Sequence, residues 1–322
     1  MTYQLGSSTL ACLREAEHRH SCALADNRSA TRSLERAVEK GEVISPVPRL
    51  FARASYWAKL KPDEQALHAV RALQRLHPDW VFAETSAALA YGLAVSYTQA
   101  WPLVVAYERG HYARSRGGIR RVLVERDHVW TSGNIRMTSP TRTVLDCLRR
   151  MDFVQGLALA DSALKQFSLT REQLIDQLLD VGRHHRGISA AIETASYADA
   201  RSDNGGESVA RATMIEMGYV IPELQREVPN EVDGGTYYAD FFWELPTGAQ
   251  VAGELDGSDK YTDPVMTGGR STTAVMRNER LRESRVNAAG VSVMRFSYAD
   301  VMNRPHFARI LDAYGIPKVG EQ

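Results

Sequence analysis

The sequence predicts an α+β protein of more than one domain. Three observations carry this. At 322 residues the chain exceeds one average domain, and each part is long enough to bury a core. Apolar residues recur at helical spacing through most of the first two hundred positions. After a polar stretch, SYADARSDNGGES (Ser196 to Ser208), the pattern changes to short strands between two helices. The expected organisation is residues 1–60, 61–198 and 205–315.

Composition bounds the function classes. Hydrophobic content of 44% and charged content of 24% are ordinary for a globular protein. No run of 18 apolar residues exists, so no membrane partner is expected. The start, MTYQLGSSTLACLREAEHRH, lacks the basic-then-apolar order of a secretory signal. Three cysteines argue against a disulfide framework, so the expected location is the cytoplasm. Net charge is zero but uneven. Arg109 to Arg126 holds six arginines against Glu125, and Asp203 to Lys260 holds twelve acids against three bases. Arg270 to Arg309 holds eight arginines against three acids. Such blocks suit a local nucleic-acid face on a neutral protein, or solvated helix faces.

Ser29 to Glu39 has a serine N-cap candidate, apolar residues at Ala30, Leu34, Ala37 and Val38, and a stop at Lys40-Gly41. GEVISPVPRLFARASY alternates loosely around two prolines, as an edge hairpin does. A helix followed by a small hairpin is the outline of a winged helix, whose helix enters the major groove. Arg28, Arg32 and Arg36 repeat at every fourth position, one face of that helix, and suit phosphate contact. An ordinary amphipathic helix is the alternative.

In the middle region, VFAETSAALAYGL is a small-residue helix, LVVAY reads as a strand, and RVLVERDHVW reads as a hairpin. Gly117-Gly118 inside ARSRGGIRR reads as a basic hairpin turn, with Arg116 and Arg120 as candidate phosphate contacts. TSPTRTVLDCLRRM starts a helix with Thr or Ser capping and Pro140 in its first turn. Helices are expected near Phe153–Gln166, Arg171–Leu179 and Ile188–Tyr197.

The order of a winged-helix start, an E-T-S-A-A-L-A-Y-G-L helix and T-S-P-T-R-T-V-L-D resembles the AbiE-type antitoxin and transcriptional regulator family of type IV toxin–antitoxin systems. It looks most like the actinobacterial branch, in which this region is fused to a restriction-endonuclease-like domain. The resemblance spans roughly Leu10 to Tyr298. It implies DNA binding by the N-terminal region, repression of the family member's own promoter, and a cognate nucleotidyltransferase-like toxin as partner.

In the last region, ESVARATMIEM reads as a helix ending at Gly218. LQREVPN, YYADFFWEL and AQVAGELDG read as strands, Val275 to Ala289 as a helix, VSVMRF as a strand, and His306–Tyr314 as a helix. The α-β-β-β-α-β order is the core of the PD-(D/E)XK nuclease fold. Asp240 lies in the second strand, while Glu254 and Asp256 end the third and share a face because they are two apart. Antiparallel pairing of these strands would bring Asp240 to them. A divalent cation would offset the repulsion of such carboxylates, and Mg²⁺ (or Mn²⁺) suits oxygen ligands plus a phosphate.

The spacing resembles the very-short-patch-repair-like branch of those nucleases. The resemblance implies Glu207, Asp240 and Glu254 as metal ligands. Asp256 stands where a lysine is expected, leaving it as an auxiliary acid and Lys260 as a water or phosphate contact. Gln225 is a further polar contributor. NERLRESRVNAAG fits the branch's helix string with gaps, and Arg282 could touch phosphate or pair with nearby glutamates. Cys12, His18, His20 and Cys22 lack paired zinc-ligand spacing. Three functions remain: a DNA-binding regulator whose end domain cleaves little or nothing, an active Mg²⁺-dependent DNA endonuclease, and an interaction module that neutralises a toxin by contact.

Overall fold

The computed structural model describes residues 6–109, 114–124, 129–230, 234–256 and 290–320. No helix among them is long and apolar enough to cross a membrane. The chain forms two compact units. One holds residues 1–151 and 166–196, the other residues 152–165 and 197–322.

The first unit opens with α1 (Ser7–His18), β1 (Ala23–Leu24), α2 (Arg28–Glu39), β2 (Val43–Ile44) and β3 (Leu50–Arg53). β3 lies between β1 and β2 and is antiparallel to both, so the expected hairpin is present with a third strand added. Asn27, rather than Ser29, caps α2: its side chain accepts from the Ala30 amide at 2.9 Å. Gly41 ends the helix with φ +75°, which glycine adopts without steric cost. Leu34 and Ala37 turn inward to join Leu13, Ala16, Ala23, Val43 and Phe51 in one small core.

A second core in this unit is built by α3 (Ala54–Trp57), α4 (Pro62–Leu76), α5 (Glu84–Ala90), β4 (Leu103–Tyr107), β5 (Ile119–Leu123) and β7 (Ile135–Met137), with β6 (Trp130–Ser132) and α6 (Pro140–Leu148) on either side of β7 in the chain. Ser139 caps α6, with Pro140 in the first helical turn. The structure corrects the hairpin expected in Arg121–Trp130. β5 pairs in parallel with β4, and β6 pairs with β7 across Gly133-Asn134. The short extended segment around Phe82 bridges Val105 and Met137 and so joins the two strand pairs. Parallel pairing gives Val104 and Val105 a fully buried strand, a demand that local alternation in RVLV does not reveal. The turn at Gly117-Gly118 is as expected, closed by paired backbone hydrogen bonds between Arg116 and Ile119.

Three further helices are α7 (Phe153–Phe167), α8 (Arg171–Gly182) and α9 (Ile188–Ser196). Most of α7 belongs to the second unit, and a buried ion pair supplies the reason. Arg211 donates to both oxygens of Asp161 at 2.8 Å and to the Tyr197 carbonyl at 2.8 Å. Burial pushes the Asp161 carboxyl up despite Arg211 beside it.

The second unit continues with α10 (Gly205–Glu216), β8 (Glu223–Asn230), β9 (Gly235–Glu244), β10 (Gln250–Asp256), β11 (Val291–Ser297), α11 (Tyr298–Met302) and α12 (Arg304–Ala313). The sheet order is β11-β10-β9-β8. β8, β9 and β10 form an antiparallel meander, while β11 runs parallel to β10. A parallel neighbour requires a crossover, and residues 257–289 connect the two strands. The expected helix Val275–Ala289 lies outside the described residues. The polar stretch Ser196 to Ser208 is no free linker. Ser202, Glu207 and Ser208 are buried in it, and Asn204 caps α10.

Candidate nucleic-acid interface and acidic sheet end

Arg28, Arg32 and Arg36 are all exposed, on the side of α2 away from Leu34 and Ala37. None of them pairs with a carboxylate among the described residues. Arg36 Nε instead donates to the Arg32 carbonyl at 3.2 Å. Glu35 shares the exposed side, so the face is basic but mixed.

Arg116 is exposed on the Gly117-Gly118 turn. A Cβ at Gly117 would stand 3.0 Å from the Pro48 ring, so that turn packs against the β2–β3 loop. Arg49 closes the same loop, exposed and held at φ +73°. Reasoning from sequence misses Arg49, because nothing local distinguishes it from any surface arginine. Arg120 has a different fate. Its guanidinium pairs with the buried carboxylate of Glu84 rather than standing unpaired on the turn.

Trp80 adds an aromatic element. His77 stacks on it with ring centroids 3.8 Å apart, and the Arg121 guanidinium lies 3.9 Å from the Trp80 centroid. Two groups cannot both fit at that distance over one face, so the indole is sandwiched between them. Burial, Arg121 and Arg49 together hold the His77 imidazole below its ordinary pKa.

In the C-terminal sheet, the antiparallel register of β9 and β10 brings Asp240 to the end of β10. Asp240 Oδ2 accepts from the Leu255 amide at 3.1 Å, which places it between Glu254 and Asp256. The β8–β9 ladder is interrupted at this point. Pairs Leu224↔Phe241 and Arg226↔Ala239 flank Gln225 and Asp240, which are not themselves paired. Gln225 has φ +51°, a conformation that costs a non-glycine residue free energy. Its Nε2 is buried and has no hydrogen-bond partner among the described residues. Inward packing also changes parity across the break: Leu224 and Phe241 belong to one core, Val228 and Ala239 to the other.

The remaining carboxylates are engaged. Glu254 Oε1 accepts from the Tyr237 hydroxyl at 2.6 Å, and Oε2 pairs with Arg295 at 3.0 Å. Arg295 is the register partner of Glu254 on β11, a residue that motif spacing does not single out. Leu255 turns toward the start of α10, where a Cβ on Gly206 would stand 3.1 Å from its Cδ2. Glu254 and Asp256 therefore leave β10 on the other face. Glu207 stays at the helix start, where its two oxygens accept from the Asp203 amide at 2.7 Å and Asn204 Nδ2 at 2.6 Å. The structure thus places Asp240, Glu254 and Asp256 at the same end of the sheet and leaves Glu207 accepting hydrogen bonds at the start of α10.

Among the described residues, no group of three or more His, Cys, Asp or Glu could hold a metal ion. In this arrangement Glu254 is paired with Arg295, and Glu207 accepts from the Asp203 amide and Asn204 Nδ2, so a divalent cation held by Glu207, Asp240 and Glu254 would have to displace these contacts. Lys260 and Arg282 lie outside the described residues.

No family profile matches the chain. Two uncharacterized proteins of Mycobacterium tuberculosis, one from strain CDC 1551 / Oshkosh and one from strain ATCC 25618 / H37Rv, are each 27% identical over 168 residues. Each match covers 52% of this chain and 57% of the relative, so the chain spans little more than half the length of the relatives it matches. No solved structure matches.

Proposed function

We propose that this protein binds duplex DNA through its N-terminal region as an AbiE-antitoxin-like transcriptional regulator, and that its restriction-endonuclease-like end domain does not cleave. The observation that carries the reading is the presented face of α2. Arg28, Arg32 and Arg36 are exposed without carboxylate partners among the described residues, beside a β-hairpin whose loop carries Arg49 and meets the Arg116 turn. Guanidinium groups displayed this way neutralise phosphates and release counterions, so binding must weaken as salt rises. Base discrimination would then come from the end of α2 that enters the groove. The pairing of Glu254 with Arg295 supports the absence of cleavage, because a carboxylate held by a guanidinium attracts Mg²⁺ less strongly and must give up that contact to ligate it.

The test is fluorescence anisotropy of the full chain with a duplex from upstream of its own gene and with a random duplex, across a salt series. The upstream duplex is expected to bind more tightly. Arg28→Ala/Arg32→Ala/Arg36→Ala should lower affinity for both and flatten the salt slope by about 0.9 for each phosphate no longer neutralised. Equal affinity for both duplexes removes the regulator reading, and an unchanged slope removes the assignment to α2.

A second reading is a Mg²⁺-dependent endonuclease, favoured by the strained Gln225 opposite Asp240. Strain of this kind collects at functional sites. Cleavage of any duplex, mismatched or single-stranded DNA with Mg²⁺ or Mn²⁺, abolished by Asp240→Ala, would establish it and overturn the non-cleaving assignment.

A further inference from the structure

The first unit contains a cavity of about 340 Å³ that neither DNA binding nor nuclease chemistry uses. That volume is in the lower range of small-molecule sites, roughly 300–1,000 Å³. Its chemistry is specific. Glu84, the first residue of α5, is held at φ +47° with its side chain almost fully buried. One oxygen of its carboxylate binds Arg120, and the other lies 3.2 Å from Arg150 Nε. One carboxylate against two guanidiniums leaves a unit of positive charge at the cavity wall. Each guanidinium also retains N–H groups that Glu84 does not use. The strain at Glu84 is offset by the two ion pairs, and the result is a pair of pre-positioned cations.

The rest of the wall asks for a donor and a flat body. Gln99 lines this wall, and its Oε1, closed off from solvent, has no hydrogen-bond donor among the described residues, so a ligand N–H meets it once the side chain turns toward the cavity. Leaving such an acceptor unmatched costs free energy that a ligand N–H would recover. Trp101 and Pro102 supply an apolar, aromatic side, and Thr85 and Thr98 add polar groups to the lining. An anion alone would satisfy the arginines but neither Gln99 nor Trp101. An uncharged ring would satisfy the latter two and leave the cationic pair without its counterpart.

We propose that this cavity binds a nucleoside 5′-monophosphate, with its phosphate on Arg120 and Arg150, its base against Trp101, and a base N–H donated to Gln99 Oε1. Glu84 acts as a positioning residue, because it reaches the ligand only through the two arginines.

Equilibrium dialysis of the full chain against AMP, GMP, CMP and UMP tests the assignment, with adenosine and inorganic phosphate as separate arms. At least one nucleotide is expected to saturate a single site below about 1 mM. Its nucleoside and phosphate alone should bind at least tenfold more weakly. Arg150→Ala, at a side chain 60% exposed, should weaken the nucleotide about tenfold to a hundredfold with only a small drop in melting temperature, because solvent screens its pair with Glu84. Gln99→Leu should weaken it while leaving inorganic phosphate binding unchanged. The proposal is overturned if none of the four nucleotides saturates, if adenosine binds as tightly as AMP, or if both variants bind like the parent. A melting-temperature control separates lost binding from lost fold.

Discussion

The arginines of α2 and the carboxylates at the end of β10 are both clusters of like charge, and the chain treats them in opposite ways. On α2 the charges are displayed to solvent, with apolar residues on the other side and no carboxylate partners among the described residues. On the C-terminal sheet they are consumed: Glu254 by Tyr237 and Arg295, Asp240 by a backbone amide, Glu207 by the cap of its own helix. Displayed charge is available to a partner and adds little to stability, whereas consumed charge destabilises the fold when its own partner is removed and meets a new one only alongside or in place of that contact. Linear spacing cannot distinguish the two, since both appear in sequence as like charges at a regular interval.

The comparison can be broken most forcefully at the buried extreme of consumed charge. Arg211→Ala strands the Asp161 carboxylate, and should cost about 3–5 kcal/mol in urea denaturation. Arg32→Ala, on displayed charge, should leave the urea midpoint unchanged. Comparable losses for both variants would show that the α2 face is structural after all.

A smaller effect is expected at the sheet end, where the pair is less buried. Arg295→Met removes the cation from Glu254 and should cost about 1–3 kcal/mol. With that carboxylate no longer neutralised, added Mg²⁺ should raise the melting temperature of the variant and leave the parent unchanged. A parent stabilised by Mg²⁺ as much as the variant would mean that Arg295 does not exclude the metal. Such a result would make Glu254 available as a metal ligand.

The smallest effect concerns a histidine inside the first unit. His68 Nδ1 lies 2.7 Å from the Glu64 carbonyl, which can only accept, so the neutral ring donates there and accepts from the Tyr56 hydroxyl at Nε2. Burial, the first cause, holds its pKa below the ordinary value, with Arg71 and His20 adding to the effect. A folded pKa below the unfolded one means that the unfolded chain takes up the proton first. His68 therefore contributes full stability above about pH 6.5, and loses it as pH falls from there through the lowered folded value. His68→Gln should flatten this part of a stability-against-pH curve. An unchanged curve would place the acid sensitivity elsewhere.

Local signals carry most of the elements. The caps and stops at Asn27, Gly41, Ser139 and Gly218 act within a few residues of the helices they bound, so the ends of α2, α6 and α10 fall close to expectation. Strand alternation locates β8 to β11 for the same reason. Pairing is less accessible. The alternation in Arg121–Trp130 suits a hairpin, but β5 finds its partner in β4, where a buried valine face outweighs chain proximity.

Sequence by itself therefore determined which segments are helix or strand, which arginines share a helix face, and which acids share a strand end. These follow from the two side-chain periods and from caps that act within one turn. Only the tertiary structure decided what each charge meets. Arg295 lies 41 positions from Glu254 and Arg211 lies 50 positions from Asp161, so no local pattern encodes their meeting. It also created the cavity, by placing Glu84, Gln99, Arg120 and Arg150 around one space. Ion pairing and burial are properties of neighbours in space, and for these residues those neighbours come from distant parts of the chain.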